Sequence, residues 1–466
     1  MTAHTTTVTS RSPQDPDDIV VEVPAADEAA VAAAFTTARE AAKAWAGGHA
    51  TVRTTALTQA AQAVEDAAGE LVELIVREVG KPLTEARMEV TRAVNILRYH
   101  AQAALDPDGE TYPSAPPADP RTLLMSRRRP RGVAGLITPW NFPIAIPLWK
   151  AAPALAYGNA VVLKPSSEAV AVATRVAELL NRSVPEGVFQ VVAGGGTTGT
   201  ALIDHADAVS FTGSTGVGVQ VAQRATARGI PAQCEMGGQN ASIVLPDADP
   251  ETAAKVIAGA AMGYAGQKCT ATSRVIAVGD ADRLTEALVA AVEALPVGDP
   301  ADEATIVGPV INGGARDEVV EAASRAPGEG GRIATGGGAV DRTGAFVAPT
   351  VVDRVTPDAA LAQNEVFGPI AGVIAARSAE EAIAISNGVP YGLVTSVFTS
   401  DLDAALTLAA RLDTGMIRIN QPTSGVDFHA PFGGEKSSSY GPREQGKAAR
   451  EFYTSSHTIT VGPARP

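Results

Sequence analysis

The chain of 466 residues is poor in sulfur and aromatics, with two cysteines and 4% aromatic residues. Two cysteines cannot build a disulfide framework, and thiol chemistry needs a reducing compartment, so the expected location is cytoplasmic. Six scattered histidines with no Cys/His cluster leave no metal site. Basic residues are outnumbered, 37 against 51 acidic, for a net charge of −14. That balance argues against nucleic acid as a partner, because phosphate binding needs a basic face. Long apolar runs are missing too. The most apolar region, 132–163, is broken by Pro139, Pro143, Pro147 and Pro153, so no membrane partner is expected. Residues 1–18 are polar, lack the apolar centre of a signal peptide, and read as a disordered arm.

What is present is globular. Apolar residues make up 45% and charged residues 19%, enough for two or three domains with their own cores. Val31, Phe35, Ala38, Ala42 and Trp45 recur at helical spacing, and Leu57, Ala61, Val64, Ala68, Leu71 and Ile75 predict one second helix. Gly80 stops that helix and Pro82 opens a third. All three read as packing helices without chemistry. The Pro/Gly-rich stretch 106–120 marks a boundary, and Arg127, Arg128 and Arg129 beyond it read as a solvated strand edge.

From Gly132 the pattern alternates. Strands are predicted at 161–164, 188–192, 209–212 and 231–236, with helices at 168–181 and 215–228. Such alternation predicts a parallel sheet, with ligands at the carboxyl ends of its strands. At one such end lies Phe211-Thr212-Gly213-Ser214-Thr215-Gly216-Val217-Gly218, a turn that opens a helix and offers backbone N–H groups to an anion. It is not the G-x-G-x-x-G fingerprint, so alone it is a weak signal. A second α/β block runs from 241 to about 420. The β-branched tail, 452–461, is expected to pair, plausibly with another subunit.

Both cysteines fall between 234 and 272. Cys269 sits among Gly, Lys and Thr, and Glu235 lies in a Glu-Met-Gly-Gly turn. A thiol nucleophile and a carboxylate base from separate segments suit covalent catalysis on a carbonyl. A buried structural thiol and a turn glutamate fit these residues equally well.

Seven separated motifs move that balance: Thr138-Pro139-Trp140-Asn141-Phe142-Pro143, Lys164-Pro165-Ser166, Phe211-Thr212-Gly213-Ser214-Thr215, Glu235-Met236-Gly237-Gly238, Gly266-Gln267-Lys268-Cys269, Glu365-Val366-Phe367-Gly368-Pro369 and Pro431-Phe432-Gly433-Gly434. In this order and spacing, over about residues 19–461, the chain resembles the NAD(P)-dependent aldehyde dehydrogenase superfamily. The resemblance implies an α/β fold: a Rossmann-type cofactor domain (1–111 and 131–237), an α/β catalytic domain (238–436) and a small β oligomerisation element (112–130 and 437–466) of a homodimer or homotetramer.

It also implies roles. Cys269 is the nucleophile, with a thiol pKa that has to be lowered locally. Asn141 and the Cys269 backbone N–H form an oxyanion hole, and Glu235 activates water against the thioester. Acylating relatives that use coenzyme A lack this glutamate, so its presence implies release of a free acid. An inactive protein that kept only the fold is disfavoured by the intact Cys269, Glu235 and Asn141. For the cofactor, Ser214 meets the pyrophosphate, Val217 packs near the adenine, Lys164 reaches the ribose, and Glu365 and Phe367 hold the nicotinamide end. Ile137, Thr138, Pro139, Trp140, Ser166, Phe211, Gly213, Met236 and Gly237 complete that site.

Three departures matter. NAD-using members often carry Glu three positions after the lysine, where this chain has Ser167, followed by Glu168. Serine removes a charge that would repel a 2′-phosphate, so NADP is favoured over NAD, unless Glu168 swings in. The N-terminal arm is expected to lack an early strand pair, and Cys234 is expected to be buried and inert. Stretches 142–159, 266–274, 419–434 and 437–446 are most similar to α-ketoglutaric semialdehyde (2,5-dioxovalerate) dehydrogenases, with succinic semialdehyde or another pathway aldehyde as the alternative substrate. In that reading Trp149, Phe428 and Phe432 wall the tunnel, and Thr270, Gln421 and Thr423 supply donors.

Overall fold

The computed structural model of the protein describes residues 6–464. Two of its sheets carry the architecture. The first has six strands in the order Ser439–Tyr440, Ala232–Glu235, Ala208–Thr212, Val133–Ile137, Ala160–Lys164 and Phe189–Val191. All neighbours are parallel except the outermost pair, where Ser439–Tyr440 runs antiparallel to Cys234 and Glu235. The runs at Val133–Ile137, Ala160–Lys164 and Ala208–Thr212 are buried at every position, as expected of strands covered by helices on both faces. From Val133–Ile137 the chain builds outward one way, then returns to its other flank at Ala208–Thr212. The order therefore reverses between these two strands, and a crevice opens at their carboxyl ends.

The second sheet has seven strands: Arg332–Thr335, Thr350–Asp353, Ile370–Ala376, Thr272–Val278, Asn240–Val244, Val394–Phe398 and Met416–Ile419. Only its first strand is antiparallel. The short link from Glu235 to Asn240 passes from one sheet to the other. A third sheet, of Thr454–Val461, Leu123–Pro130 and Thr111–Tyr112, forms an arm.

Four expectations change. Thr7–Ser12 and Asp15–Pro24 form an antiparallel hairpin, so the early strand pair is present; of the expected disordered arm, residues 1–5 lie outside the described residues. The hairpin is held from outside its own sequence: the Ala345 N–H donates to the Pro13 carbonyl at 2.9 Å, and Gln14 Nε2 donates to the Val76 carbonyl at 3.1 Å. The expected single helix over 57–75 is two, Ala50–Asp66 and Ala68–Val79; Asp66 and Gly69, both weak helix formers, flank the break. The Arg127–Arg129 strand is the middle strand of the arm, paired along its length with Thr454–Val461. Finally, 437–466 is not one unit. Ser439–Tyr440 closes the six-stranded sheet, and Ala448–Tyr453 buries Phe452 and Tyr453 in the core shared with helix Ala145–Ala156.

Candidate active site

Cys269 follows a tight turn, Gly263–Gly266, in which Tyr264 (φ 56°), Ala265 (φ 52°) and Gly266 (φ 67°) are all left-handed. Two non-glycine residues in that region are unfavourable by about 1–2 kcal/mol each, so the surroundings must enforce the turn. A side chain at Gly266 would collide with the Gly368 carbonyl. Gln267, wholly buried, accepts from the Ile311 N–H at 2.7 Å and donates to the Tyr264 and Pro309 carbonyls at 3.3 and 3.2 Å. Asn240 Nδ2 donates to the Cys269 carbonyl at 2.7 Å, and Lys268 Nζ donates to Glu85 Oε1 at 2.5 Å. The nucleophile's loop is thus pinned on both sides of the thiol.

Asn141 is buried, and its Nδ2 donates to the Gln267 carbonyl at 2.9 Å. An amide nitrogen has two hydrogens, so one remains to be offered to a substrate oxygen. Glu235 ends its strand with 2% exposure, accepting from Ser439 Oγ at 2.6 Å. Burial, then the nearby Glu444, pushes its carboxyl well above the usual range, while Ser439, Lys150 and Arg443 oppose that shift. Glu444 itself is ion-paired in the interior with Lys150.

The expectation of a lowered thiol pKa at Cys269 is not met in this state. Burial pushes the thiol up, and Glu365, Glu235 and Glu444 add to it, because a thiolate there would face three carboxylates. Thiolate formation therefore needs a proton acceptor or a compensating positive charge. Cys234 is free and buried, pushed up to about 12 chiefly by burial.

A cleft of about 1290 Å³ opens at the crevice between the reversed strands. Its lining holds Ile137, Thr138, Pro139, Trp140, Lys164, Ser166, Ser167, Phe211, Gly213, Ser214 and Val217. Met236, Gly237, Glu365 and Phe367 lie outside that lining. Met236 packs so closely beneath Gly218 that an added Cβ would come within 2.5 Å of its sulfur. Glu365 accepts from the Gly238 N–H at 3.0 Å and lies where a side chain at Gly237 would go. Phe367 meets Trp140 edge-on, centroids 5.8 Å apart.

The cleft fits a dinucleotide by its own features. Helix Thr215–Ala227 begins at Ser214, whose side chain makes no capping bond, so its first N–H groups face the cleft. The hydroxyls of Thr138 and Thr212 are buried there without a partner. Burial lowers Lys164 to about 8, and its Nζ donates to the Pro165 and Gly194 carbonyls at 2.9 and 3.0 Å. Glu168 also lines the cleft, but its carboxylate accepts from Asn312 Nδ2 at 3.1 Å, which draws it toward the helix Gly313–Arg325.

A second, smaller cavity of about 270 Å³ holds Cys269 with Thr270, Trp149 and Phe432. Trp149 and Phe432 pack with tilted rings, centroids 5.5 Å apart. Gln421, Thr423 and Phe428 do not line it. Gln421 is exposed, Thr423 is buried with its hydroxyl 2.8 Å from that of Thr272, and Phe428 packs against Tyr99 at 5.9 Å. Their neighbours Pro422, Ser424, Gly425 and Val426 take the lining positions. Sequence reading also missed a whole wall, Glu85, Met88, Glu89 and Arg92 on helix Leu83–Ala103. Charged residues at i, i+4 and i+7 around Met88 look like a solvated helix face, and nothing in their spacing sets the buried Glu89 apart.

A thiol lining a small cavity, a dinucleotide-sized cleft and a buried carboxylate together suit an oxidoreductase. The chain belongs to the aldehyde dehydrogenase family, whose model matches residues 1–459, and it is an enzyme of that class. It is 40% identical over 461 residues to alpha-ketoglutaric semialdehyde dehydrogenase of Bacillus subtilis, covering 97% of this chain and 94% of the relative. It is 39% identical over 468 residues to alpha-ketoglutarate semialdehyde dehydrogenase of Haloferax volcanii, covering 98% and 96%. Among solved structures, an NAD-dependent aldehyde dehydrogenase from Sinorhizobium meliloti matches with a TM-score of 0.95 at 32% identity, covering 100% of this chain and 93% of that one. No described helix is long and apolar enough to cross a membrane, and the described residues hold no group of His, Cys, Asp or Glu suited to a metal.

Proposed function

We propose that the protein oxidises a carboxylated semialdehyde, α-ketoglutaric semialdehyde foremost, to the free acid, using NADP in preference to NAD. The observation that carries this reading is that Cys269, alone of the two cysteines, opens onto the narrow cavity while Glu235 stands buried at the neighbouring strand end. The named relatives supply the substrate class.

The Cys269 thiol gives up its proton to water, and the thiolate sulfur attacks the aldehyde carbon to form a thiohemiacetal. The spare Asn141 Nδ2 hydrogen and the Cys269 N–H receive the developing oxyanion, and one such donor lowers the barrier by about 3–4 kcal/mol. A bound oxidised nicotinamide supplies the acceptor for the hydride leaving that carbon. The acyl group remains on Cys269 as a thioester. Glu235, unprotonated, takes a proton from water, the water oxygen attacks the acyl carbon, and the Cys269 sulfur departs with its electron pair. Ser439 holds the Glu235 carboxylate in place for that step.

NADP preference rests on Ser167, which brings no charge to the cleft, and on the Glu168 carboxylate being engaged by Asn312 in the same lining. The protein acts in the cytoplasm as a homodimer or homotetramer, joined through the arm, where Tyr112, Leu123, Ile459 and Val461 are exposed apolar groups. The test is absorbance of reduced nicotinamide with α-ketoglutaric semialdehyde, succinic semialdehyde and butanal, each with NADP and NAD. Fastest turnover of the first with NADP is expected; turnover of butanal alone would overturn the substrate assignment.

A further inference from the structure

One wall of the cavity that holds Cys269 is a single stripe of helix Leu83–Ala103, formed by Glu85, Met88, Glu89 and Arg92. Their spacing puts all four on one face. The charges on that stripe do not cancel. Glu85 accepts from Lys268 Nζ at 2.5 Å. Glu89 is ion-paired with the buried Lys81, and its other oxygen accepts from the Ile144 and Ala145 N–H groups at 2.9 and 3.0 Å. Each carboxylate therefore has its own cation. Arg92 is left over. It is half-buried, and among the described residues its guanidinium makes no hydrogen bond and no ion pair.

The cavity thus presents one guanidinium with no hydrogen-bond acceptor among the described residues, with Phe142, Trp149 and Phe432 contributing aromatic surface to the same lining. A partly desolvated guanidinium without an acceptor is unfavourable, and a carboxylate brought to it recovers that cost through charge-assisted, two-point hydrogen bonding. Lysine in the same place would offer a point charge without the planar fork.

We propose that Arg92 is a specificity-determining residue that binds the distal carboxylate of the substrate while its aldehyde end reaches Cys269. This rests on the carboxylated-semialdehyde reading above and names the group that recognises the carboxylate. Thr270 and Ser424, in the same lining, offer hydroxyls to the rest of the chain but no charge.

The test compares wild type, Arg92→Met and Arg92→Lys on succinic semialdehyde and α-ketoglutaric semialdehyde against butanal. For Arg92→Met, KM for both carboxylated substrates is expected to rise roughly 10- to 100-fold, as for loss of a hydrogen-bonded charge pair. KM for butanal moves far less, and kcat changes little with any substrate. Arg92→Lys recovers part of the loss. A readout independent of turnover is protection of Cys269 from iodoacetamide by glutarate, present in wild type and lost in Arg92→Met. If wild type prefers the carboxylated substrates and Arg92→Met keeps that preference and the glutarate protection, the role of Arg92 is wrong while the substrate reading stands. If wild type shows no preference for a carboxylate, the substrate reading fails and this inference fails with it.

Discussion

The cleft and the smaller cavity that holds Cys269 are built differently. The cofactor cleft is assembled from strand ends and the turns that follow them: Ile137 to Trp140, Lys164 to Ser167, Phe211 to Ser214. Each piece is a short run of consecutive residues, and the sheet order brings the runs together. The substrate cavity is assembled from a helix face, a loop and single side chains, with Glu85 and Arg92 far from Trp149 in sequence and farther still from Val426. The cleft is therefore generic to the fold, and the small cavity is where one aldehyde is told from another. The chemistry proposed above falls on Cys269, Asn141 and Glu235.

Changes at that shared centre should have the largest effect and be blind to substrate. Cys269→Ser is expected to lower kcat by about 10⁴-fold or more with every aldehyde, and to abolish fast iodoacetamide labelling, leaving the buried Cys234 slow. A substrate-dependent loss would break the division between shared chemistry and selective cavity.

Glu235→Gln is expected to slow steady turnover by roughly 10²–10⁴-fold while keeping a first-turnover burst of reduced nicotinamide in rapid-mixing absorbance. Loss of the burst as well would mean that Glu235 is needed before the thioester forms.

Ser167→Glu sharpens the comparison from the cleft side. A carboxylate there faces the 2′-phosphate of NADP, and like charges brought together at an interface cost several kcal/mol, so the NADP:NAD ratio of kcat/KM should fall by about 100-fold. KM for the aldehyde should stay put at saturating cofactor. Arg92→Met is its mirror image, altering the aldehyde KM and sparing the cofactor.

The smallest effect is on pH dependence. Cys269 and Glu235 are both held above their ordinary values, chiefly by burial, so kcat/KM should climb as pH rises and their basic forms fill. The Ser439 hydroxyl stabilises the charged form of Glu235 and so lowers its pKa. In Ser439→Ala that support is gone, and the acid limb of kcat should move to higher pH. A limb that moves to lower pH would contradict the assignment of Glu235 as the base.

The contrast between the cavities also explains what was legible in the sequence. Phe211 to Gly218 and Thr138 to Asn141 carry their meaning within a few residues, so both the sheet and the cleft lining were readable from them. The N-terminal hairpin was not, because its anchors, Ala345 and Val76, are far away in sequence. The thiol environment was misjudged for the same reason: Glu365 and Glu444 reach Cys269 only through the fold. Gln421 and Thr423 lay in the right loop at the wrong positions, since a loop without strand or helix periodicity gives no clue to which side chains turn inward. Arg92 was hidden by its own helix, where the spacing that faces the cavity is also the spacing of a solvated stripe.

In the proposed mechanism the aldehyde carbon becomes an acyl thioester on Cys269, which Glu235 clears with water. Peptide mass spectrometry of Glu235→Gln, mixed with α-ketoglutaric semialdehyde and NADP and quenched in acid within the burst, should find the acyl group on the peptide containing Cys269 and none on that containing Cys234. An unmodified Cys269 after a full burst of reduced nicotinamide would contradict this chemistry.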